Sequence, residues 1–113
     1  MMLFFLIGRV LAISFFVIGD FGDLGDMKRA RQNNLKSLTE AMDKTASEIE
    51  VDFILTTGDN IYNEGIRSRE DFSYANKIMA NFEKQHLKNI PIYICPGNHD
   101  CYSDLKNEIE YSY

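Results

Sequence analysis

Three short apolar runs punctuate the chain. AISFFVI (12–18), VDFILTT (51–57) and IPIYIC (90–95) are rich in β-branched and aromatic residues, and a glycine-containing turn segment follows each of them. Runs of this kind are typical of strands that are buried on both faces, as in parallel sheets. The pattern therefore predicts three buried strands.

Between these runs the apolar residues have helical spacing. Within 27–50 they recur at steps of three to five, with charged and amide side chains on the other face, which predicts an amphipathic helix. A second helix, reaching about residue 88, is indicated by four apolar side chains: Phe72, Ala75, Met79 and Phe82. Near the end of the chain, Ser103 is a candidate N-cap for a third helix, with Leu105, Ile109 and Tyr113 following at steps of four.

The predicted order of elements is β-α-β-α-β-α. Such alternation implies an α/β fold in which right-handed crossovers join parallel strands. In sheets of this kind, ligands bind outside the carboxyl ends of the strands. The segments that follow the three strands are therefore the place to search for a site.

Composition narrows the class of protein. The 113 residues fit one domain, and six Tyr and eight Phe exclude a disordered chain. The net charge is −5, and no basic patch indicates a nucleic-acid partner. Cys95 and Cys101 do not have zinc-finger spacing, so we expect one buried thiol and one loop thiol, with a disulfide between them as the alternative.

The first eleven residues are almost entirely apolar. They lack the basic start and the small-residue cleavage site of a secretory signal, and Arg9 interrupts the run. A membrane span needs about 20 apolar residues, and the later part of this run fits a strand better, so no stable span is expected. We expect residues 1–11 to be a signal remnant or a misread start, and 12–113 to form the domain.

Each predicted strand ends in a polar cluster that could bind a metal. The clusters are Gly19-Asp20-Phe21-Gly22, Gly58-Asp59-Asn60-Ile61-Tyr62 and Gly97-Asn98-His99-Asp100. Taken alone, a Gly-Asp pair is more often a turn, and a single Tyr is more often a packing residue. Parallel strands bring all three clusters to one edge of the sheet, however, and carboxylate and amide oxygens suit Fe, Mn, Mg or Zn. Their coincidence favours a site.

These motifs resemble those of a known family. D-x-G, then GD-x-x-Y, then GNH followed by an acid is similar to the opening pattern of the calcineurin-like metallophosphoesterases across about residues 12–113. Most members have D-x-H as the first motif. Here Gly22 replaces that His and Tyr62 stands in the second motif, a pair of changes that resembles the purple acid phosphatases of the tartrate-resistant type.

The resemblance implies half of a four-layer α/β/β/α sandwich and two metal ions, Fe(III) plus a divalent Fe, Zn or Mn. Asp20 would bind the first metal, Tyr62 would bind it as a phenolate, and Asp59 would bridge both metals. Asn98 would bind the second metal through its amide oxygen. The implied reaction is hydrolysis of small-molecule or protein phosphate monoesters by attack of a metal-bound hydroxide.

Two further roles follow from the resemblance. His99 would face the substrate phosphate or the leaving group and act as a general acid, and Asp100 would orient it. The family also implies a secreted or lysosomal/vacuolar full-length protein. The oligomeric state and the physiological substrate stay open.

The chain departs from the family pattern in one respect. The later motifs V-x-x-H and G-H-x-H are missing, since the only histidines are His86, expected on the surface, and His99. We therefore expect an N-terminal portion of a phosphomonoesterase that is inactive or nearly so as given. The alternative is a non-catalytic truncated paralogue with vestigial motifs. A phosphate-receiver domain is disfavoured, because it would not carry GNHD.

Overall fold

The computed structural model describes residues 12–22 and 30–111. Three strands and three α-helices alternate along this part of the chain. They are β1 (Phe15–Ile18), α1 (Ala30–Glu48), β2 (Phe53–Thr56), α2 (Phe72–Met79), β3 (Ile92–Tyr93) and α3 (Leu105–Tyr111). Short 3-10 turns at Arg69–Asp71, Ala80–Phe82 and Asp100–Tyr102 complete the order.

The three strands form one parallel sheet in the order β1-β2-β3. Phe15 pairs with Phe53 across β1 and β2, and Ile54 pairs with Ile92 across β2 and β3. The predicted α/β class and the parallel topology are therefore confirmed, as is the convergence of the three carboxyl ends at one edge.

The second helix is shorter than predicted. It ends at Met79, continues as a 3-10 turn to Phe82, and leaves helical geometry at Glu83, where ψ is 52°. Phe82 and Leu87 are both buried, at 4% and 1% exposure. A continuous helix would place Leu87 about 140° around the axis from Phe82, so the chain must leave the helix to bury both. The strands are also shorter than their apolar runs.

Asp104, not Ser103, caps the third helix. The carboxylate of Asp104 accepts from the backbone N–H of Lys106, as an N-cap side chain does. The Ser103 hydroxyl instead donates to the carbonyl of Ile66, 3.1 Å away. Three predicted features lie outside the described residues: Tyr113 in the third helix, the start of the first helix at 27–29, and the N-terminal extension 1–11.

The core occupies one face of the sheet. Ile18, Ile54 and Thr56 are buried there against the helices. On the opposite face Phe15, Val17 and Tyr93 are 50%, 54% and 57% exposed, and Phe53 stacks on Phe15 with ring centroids 4.8 Å apart. The prediction of strands buried on both faces is therefore wrong for the part of the chain that the structure describes, since none of it covers this second face.

The cysteines also differ from expectation. Cys95 and Cys101 are both exposed free thiols, so neither the buried thiol nor the disulfide is found. β3 ends at Tyr93, before Cys95, whose backbone N–H donates to the Thr56 hydroxyl at 2.9 Å. His86 is exposed as predicted. Within the described ranges, no helix has the length and apolar character needed to cross a membrane.

The one-sided core gives a direct test within a single strand. Ile54→Ala should lower the free energy of unfolding by about 3 kcal/mol, because Ile54 is wholly buried and the substitution leaves a cavity. Leu55→Ala is the matched control on the other face, where Leu55 is 37% exposed, and should cost under about 1 kcal/mol. Urea unfolding followed by circular dichroism measures both. Equal losses would contradict the assignment of the buried face.

Candidate metal centre

The first two strands end in aspartates with left-handed backbone conformation. Asp20 has a φ of 55° and Asp59 a φ of 54°. Residues other than glycine rarely adopt this conformation, and it concentrates at functional sites. The Asp20 N–H donates to the carbonyl of Gly58 at 3.1 Å, so the two strand ends are joined directly. Both carboxylates are thereby held at the same edge of the sheet.

Gly22 lies in close contact with the second motif. Its N–H donates to the carbonyl of Asp59 at 3.3 Å, and its carbonyl accepts from the Tyr62 N–H at 3.1 Å. A Cβ at position 22 would overlap the backbone of Asn60 and Ile61. Position 22 must therefore be glycine if the segment that carries Tyr62 is to pack against it. The presence of Gly22 and the position of Tyr62 are thus physically linked.

Three oxygen atoms converge beyond these strand ends. The Tyr62 hydroxyl donates to Asp20 Oδ1 at 2.8 Å and to Asp59 Oδ2 at 3.0 Å. Partial burial, followed by the hydrogen bonds to the two carboxylates, raises the pKa of Tyr62. Both carboxylates therefore share the hydrogen bond of a single phenolic proton. A cation in place of that proton would meet three hard oxygen ligands, so these residues fit a metal such as iron.

The other oxygen of Asp59 faces the third strand end. Asp59 Oδ1 accepts from the backbone N–H of His99 at 3.0 Å. A Cβ on Gly97 would overlap Asp59, so Asn98 is flanked by two residues that both contact this carboxylate. The exposed Asn98 side chain reaches the Tyr102 hydroxyl, with 3.5 Å between Nδ2 and the oxygen. The two oxygens of Asp59 thus face different groups, which a bridging ligand requires.

His99 is fixed by a backbone carbonyl. Its Nδ1 lies 2.6 Å from the carbonyl oxygen of Asn63. A carbonyl can only accept, so Nδ1 carries the proton and this contact leaves Nε2 unused. The imidazole is 4.3 Å from the Tyr62 ring and 5.2 Å from the Tyr102 ring, measured between centroids. These contacts set its orientation.

Asp100 differs from its predicted role of orienting His99. Its wholly buried carboxylate accepts from the backbone N–H groups of Asn60, Ile61 and Gly97 and from the Asn60 side-chain amide, at 2.7–3.1 Å. The imidazole is held by Asn63 instead. Asp100 therefore positions the second and third motifs by joining their backbones.

Sequence reasoning missed three residues that support the site. Asn60 donates through its amide to Asp100 and to the carbonyl of Cys95, Asn63 supplies the carbonyl that holds His99, and Tyr102 packs on the imidazole. Asn60 lies inside the second motif, which was the one available signal. The role of the Asn63 carbonyl could not be predicted, because every residue has a backbone carbonyl.

A cavity of about 650 Å³ opens beside two of the candidate ligands. Its walls are Gly19, Asp20, Phe21, Asn34, Leu35, Leu38 and Tyr62. One side is therefore formed by the oxygens of Asp20 and Tyr62 and the other by side chains of α1, among them Leu35 and Leu38. No group of three or more His, Cys, Asp or Glu side chains that could hold a metal is found within the described residues. The candidate donor set therefore consists of two carboxylates, a phenol and an amide.

Comparison with known proteins identifies the family of this sequence. The sequence matches the family model described as calcineurin-like phosphoesterase over residues 13–113. It is 30% identical to tartrate-resistant acid phosphatase type 5 of Mus musculus over 93 residues, which are 80% of this chain and 28% of that protein. For the human protein of the same name the identity is 28% over 105 residues, covering 93% of this chain and 32% of the relative.

A plant relative gives a similar result. Purple acid phosphatase 4 of Arabidopsis thaliana is 31% identical over 98 residues, which are 87% of this chain and 27% of that protein. The chain thus spans about a third or less of the length of these relatives. The matches confirm the family that the three motifs predicted.

The hydrogen bonds of Asp100 lead to a stability prediction. Asp100→Ala should lower the free energy of unfolding by about 3 kcal/mol or more, because several buried N–H groups lose their acceptor. Asp104→Ala, which removes only a helix cap, should cost about 1 kcal/mol. Urea unfolding of both variants checks this. A loss at Asp100 no greater than that at Asp104 would show that the carboxylate does not join the motifs.

Proposed function

The chain belongs to the calcineurin-like phosphoesterase family, and we propose that its strand-end site is part of an acid phosphatase that hydrolyses phosphate monoesters with two metal ions. One observation carries the proposal. The Tyr62 hydroxyl lies between Asp20 and Asp59, while the second oxygen of Asp59 faces the third motif. This is an arrangement suited to two cations that share one carboxylate.

Asp20, Tyr62 and Asp59 would hold the first metal, and Asp59 and Asn98 the second. A phenol ordinarily has a pKa of about 10, and burial beside two carboxylates raises the pKa of Tyr62 further. A strongly charged ion is needed to replace that proton, which favours Fe(III) at the first position. We propose a divalent Fe, Zn or Mn at the second. Metal ions would supply the positive charge that holds the phosphate and would make a bound water acidic.

The remaining residues position the substrate and move a proton. The cavity beside Asp20 and Tyr62 offers room for the ester. His99, oriented by Asn63 through Nδ1, would donate a proton from Nε2 to the leaving oxygen when the imidazole carries a proton on both nitrogens, and would remain neutral with its Nδ1 proton in place. Asp100 would keep Asp59 and His99 at a fixed separation through its backbone contacts. The substrate is a small-molecule or protein phosphate ester.

The described residues give the second metal only Asp59 and Asn98. Zinc in proteins commonly takes three or four protein ligands. We therefore expect the 113-residue chain to retain the first metal and to bind the second weakly, with little turnover. The alternative, a non-catalytic protein with a vestigial site, predicts that neither metal is retained.

The test of the proposed function is the metal content of the chain and of Asp59→Asn. After loading with Fe(III) plus Zn(II) and gel filtration, elemental analysis should find about one iron per parent chain and almost none in Asp59→Asn, because the first metal then loses one of its two carboxylate ligands. Asp52→Asn, the same change at the amino end of β2, should leave the content unchanged.

Hydrolysis of an aryl phosphate at pH 5–7 completes this test. We expect low turnover from the parent chain and none from Asp59→Asn. Normal metal content in Asp59→Asn would remove Asp59 from the bridging role. Two tightly bound metals with turnover of ~1–10³ s⁻¹ would show that further residues complete the site.

Tyr62 gives a spectroscopic prediction. The iron-loaded chain should show a visible absorption band from phenolate-to-Fe(III) charge transfer, since Tyr62 is the aromatic hydroxyl between both carboxylates. Tyr62→Phe should lose the band and keep the far-UV circular dichroism. Tyr102→Phe is the control, because that hydroxyl contacts Asn98 and not the carboxylates. A colourless parent that contains iron would contradict the phenolate ligand.

A further inference from the structure

Two buried polar atoms behind the site lack a hydrogen-bond partner. They are Glu108 Oε2 on α3 and Asn60 Oδ1 in the second motif, both within the described part of the chain. Glu108 is 7% exposed and Asn60 3% exposed. A buried acceptor without a partner costs about 1–3 kcal/mol. Two such atoms in one region therefore require an explanation.

The two residues line the same small void. This cavity of about 20 Å³ is otherwise walled by apolar side chains, apart from Tyr111, whose hydroxyl donates to Asn76 Oδ1 at 2.9 Å. A void of this size has room for at most about one water, which would have to donate to both oxygens while Glu108 stays charged beside Asp100. Asn60 and Glu108 are thus the polar groups in this wall whose oxygens lack partners, and a single hydrogen bond between them would satisfy both.

The Asn60 amide cannot be turned to supply that hydrogen bond. Its Nδ2 donates to the Cys95 carbonyl at 2.8 Å and to Asp100 Oδ2 at 3.0 Å. Rotating the amide would break both contacts and place an oxygen against the Asp100 carboxylate. Asn60 Oδ1 therefore needs a donor. An ionised Glu108 only accepts, whereas a protonated Glu108 carries one O–H donor.

The surroundings of Glu108 favour its neutral form. Burial first, and then the negative charge of Asp100, raise the pKa of Glu108 to about 7, while the Asn60 amide opposes this shift. The neighbours from α2 and β3, such as Met79 and Ile92, are apolar, and Tyr111 faces the same void from α3 itself. No basic side chain is among the described residues that line this void or the adjoining one.

We propose that Glu108 is a positioning residue of the site and that it acts in its protonated form by donating a hydrogen bond to Asn60 Oδ1. The Asn60 amide, held in this way, fixes the Asp100 carboxylate and the backbone next to Asp59. Ionisation of Glu108 removes the donor, places a second negative charge beside Asp100 and loosens the second motif. The inference rests on the proposed function only in treating Asp59 as a metal ligand.

The pH dependence has a defined sign. The pKa of Glu108 is about 7 in the folded chain against an ordinary value of 4.5. Between these two pH values the folded chain retains a proton that the unfolded chain has released. Glu108 therefore makes the free energy of unfolding fall as pH rises from about 4.5 to about 7, with no further change above that range.

Glu108→Gln is the direct test. Glutamine keeps an N–H donor for Asn60 Oδ1 and cannot ionise. We expect the urea midpoint of the metal-free 113-residue chain to fall between pH 5 and pH 8, and to fall markedly less in Glu108→Gln, which should be the more stable of the two at pH 8. Glu48→Gln, at the exposed end of α1, should follow the parent. Identical pH profiles for the parent and Glu108→Gln would overturn the proposal.

A second measurement observes the proton itself. The carboxyl ¹³C resonance of Glu108, assigned by its loss in Glu108→Gln, should titrate near pH 7, and a midpoint near 4.5 would overturn the proposal. The side-chain amide resonances of Asn60 should shift with the same midpoint, and a purely structural Glu108 would not move them. These measurements need no metal. Failure of iron binding with the titration intact would therefore count against the proposed function alone.

Discussion

The Asp100 carboxylate connects the segments that follow β2 and β3 and carry the second and third motifs. β2 has four residues and β3 has two, so the sheet ladder alone makes few hydrogen bonds between these strands. Beyond the ladder, Asp100 accepts from Gly97 on one side and from Asn60 and Ile61 on the other. Four charge-assisted hydrogen bonds converge on one buried group, and such bonds are about twice as strong as neutral ones. The separation between the second and third motifs depends on them.

The site on the other side of this connection is dominated by negative charge. Asp20 and Asp59 both accept from the single Tyr62 hydroxyl. Both also have backbone conformations of a kind that costs of order 1–3 kcal/mol for each residue. Electrostatic repulsion and backbone strain are therefore concentrated where a cation would bind. A ligand that binds only the folded state, present at a concentration 100 times its dissociation constant, raises the free energy of unfolding by about 2.7 kcal/mol. A bound cation would therefore offset much of that cost.

Much of this arrangement could be predicted from the sequence. Parallel strands place their carboxyl ends at one edge whatever their length, so the convergence of Asp20, Asp59 and His99 followed from topology. The predictions that were wrong concerned features that depend on contacts between distant segments. The helix stops at Met79 because Leu87 must enter the core, and Ser103 is not a cap because its hydroxyl reaches Ile66. Most of the hydrogen bonds that hold His99 and Asp100 come from backbone groups, which every residue carries, so the residue types do not reveal them.

The contacts of Gly22 show how positions in the first and second motifs depend on each other. In this structure a side chain at position 22 would overlap the backbone that leads to Tyr62, and the Gly22 carbonyl accepts from the Tyr62 N–H. A histidine could not occupy position 22 while Tyr62 keeps its place between the two carboxylates. Substituting a residue of one motif therefore requires the backbone of the other to move. The pairing of Gly22 with Tyr62 is thus a steric consequence of bringing a phenol to the ends of β1 and β2.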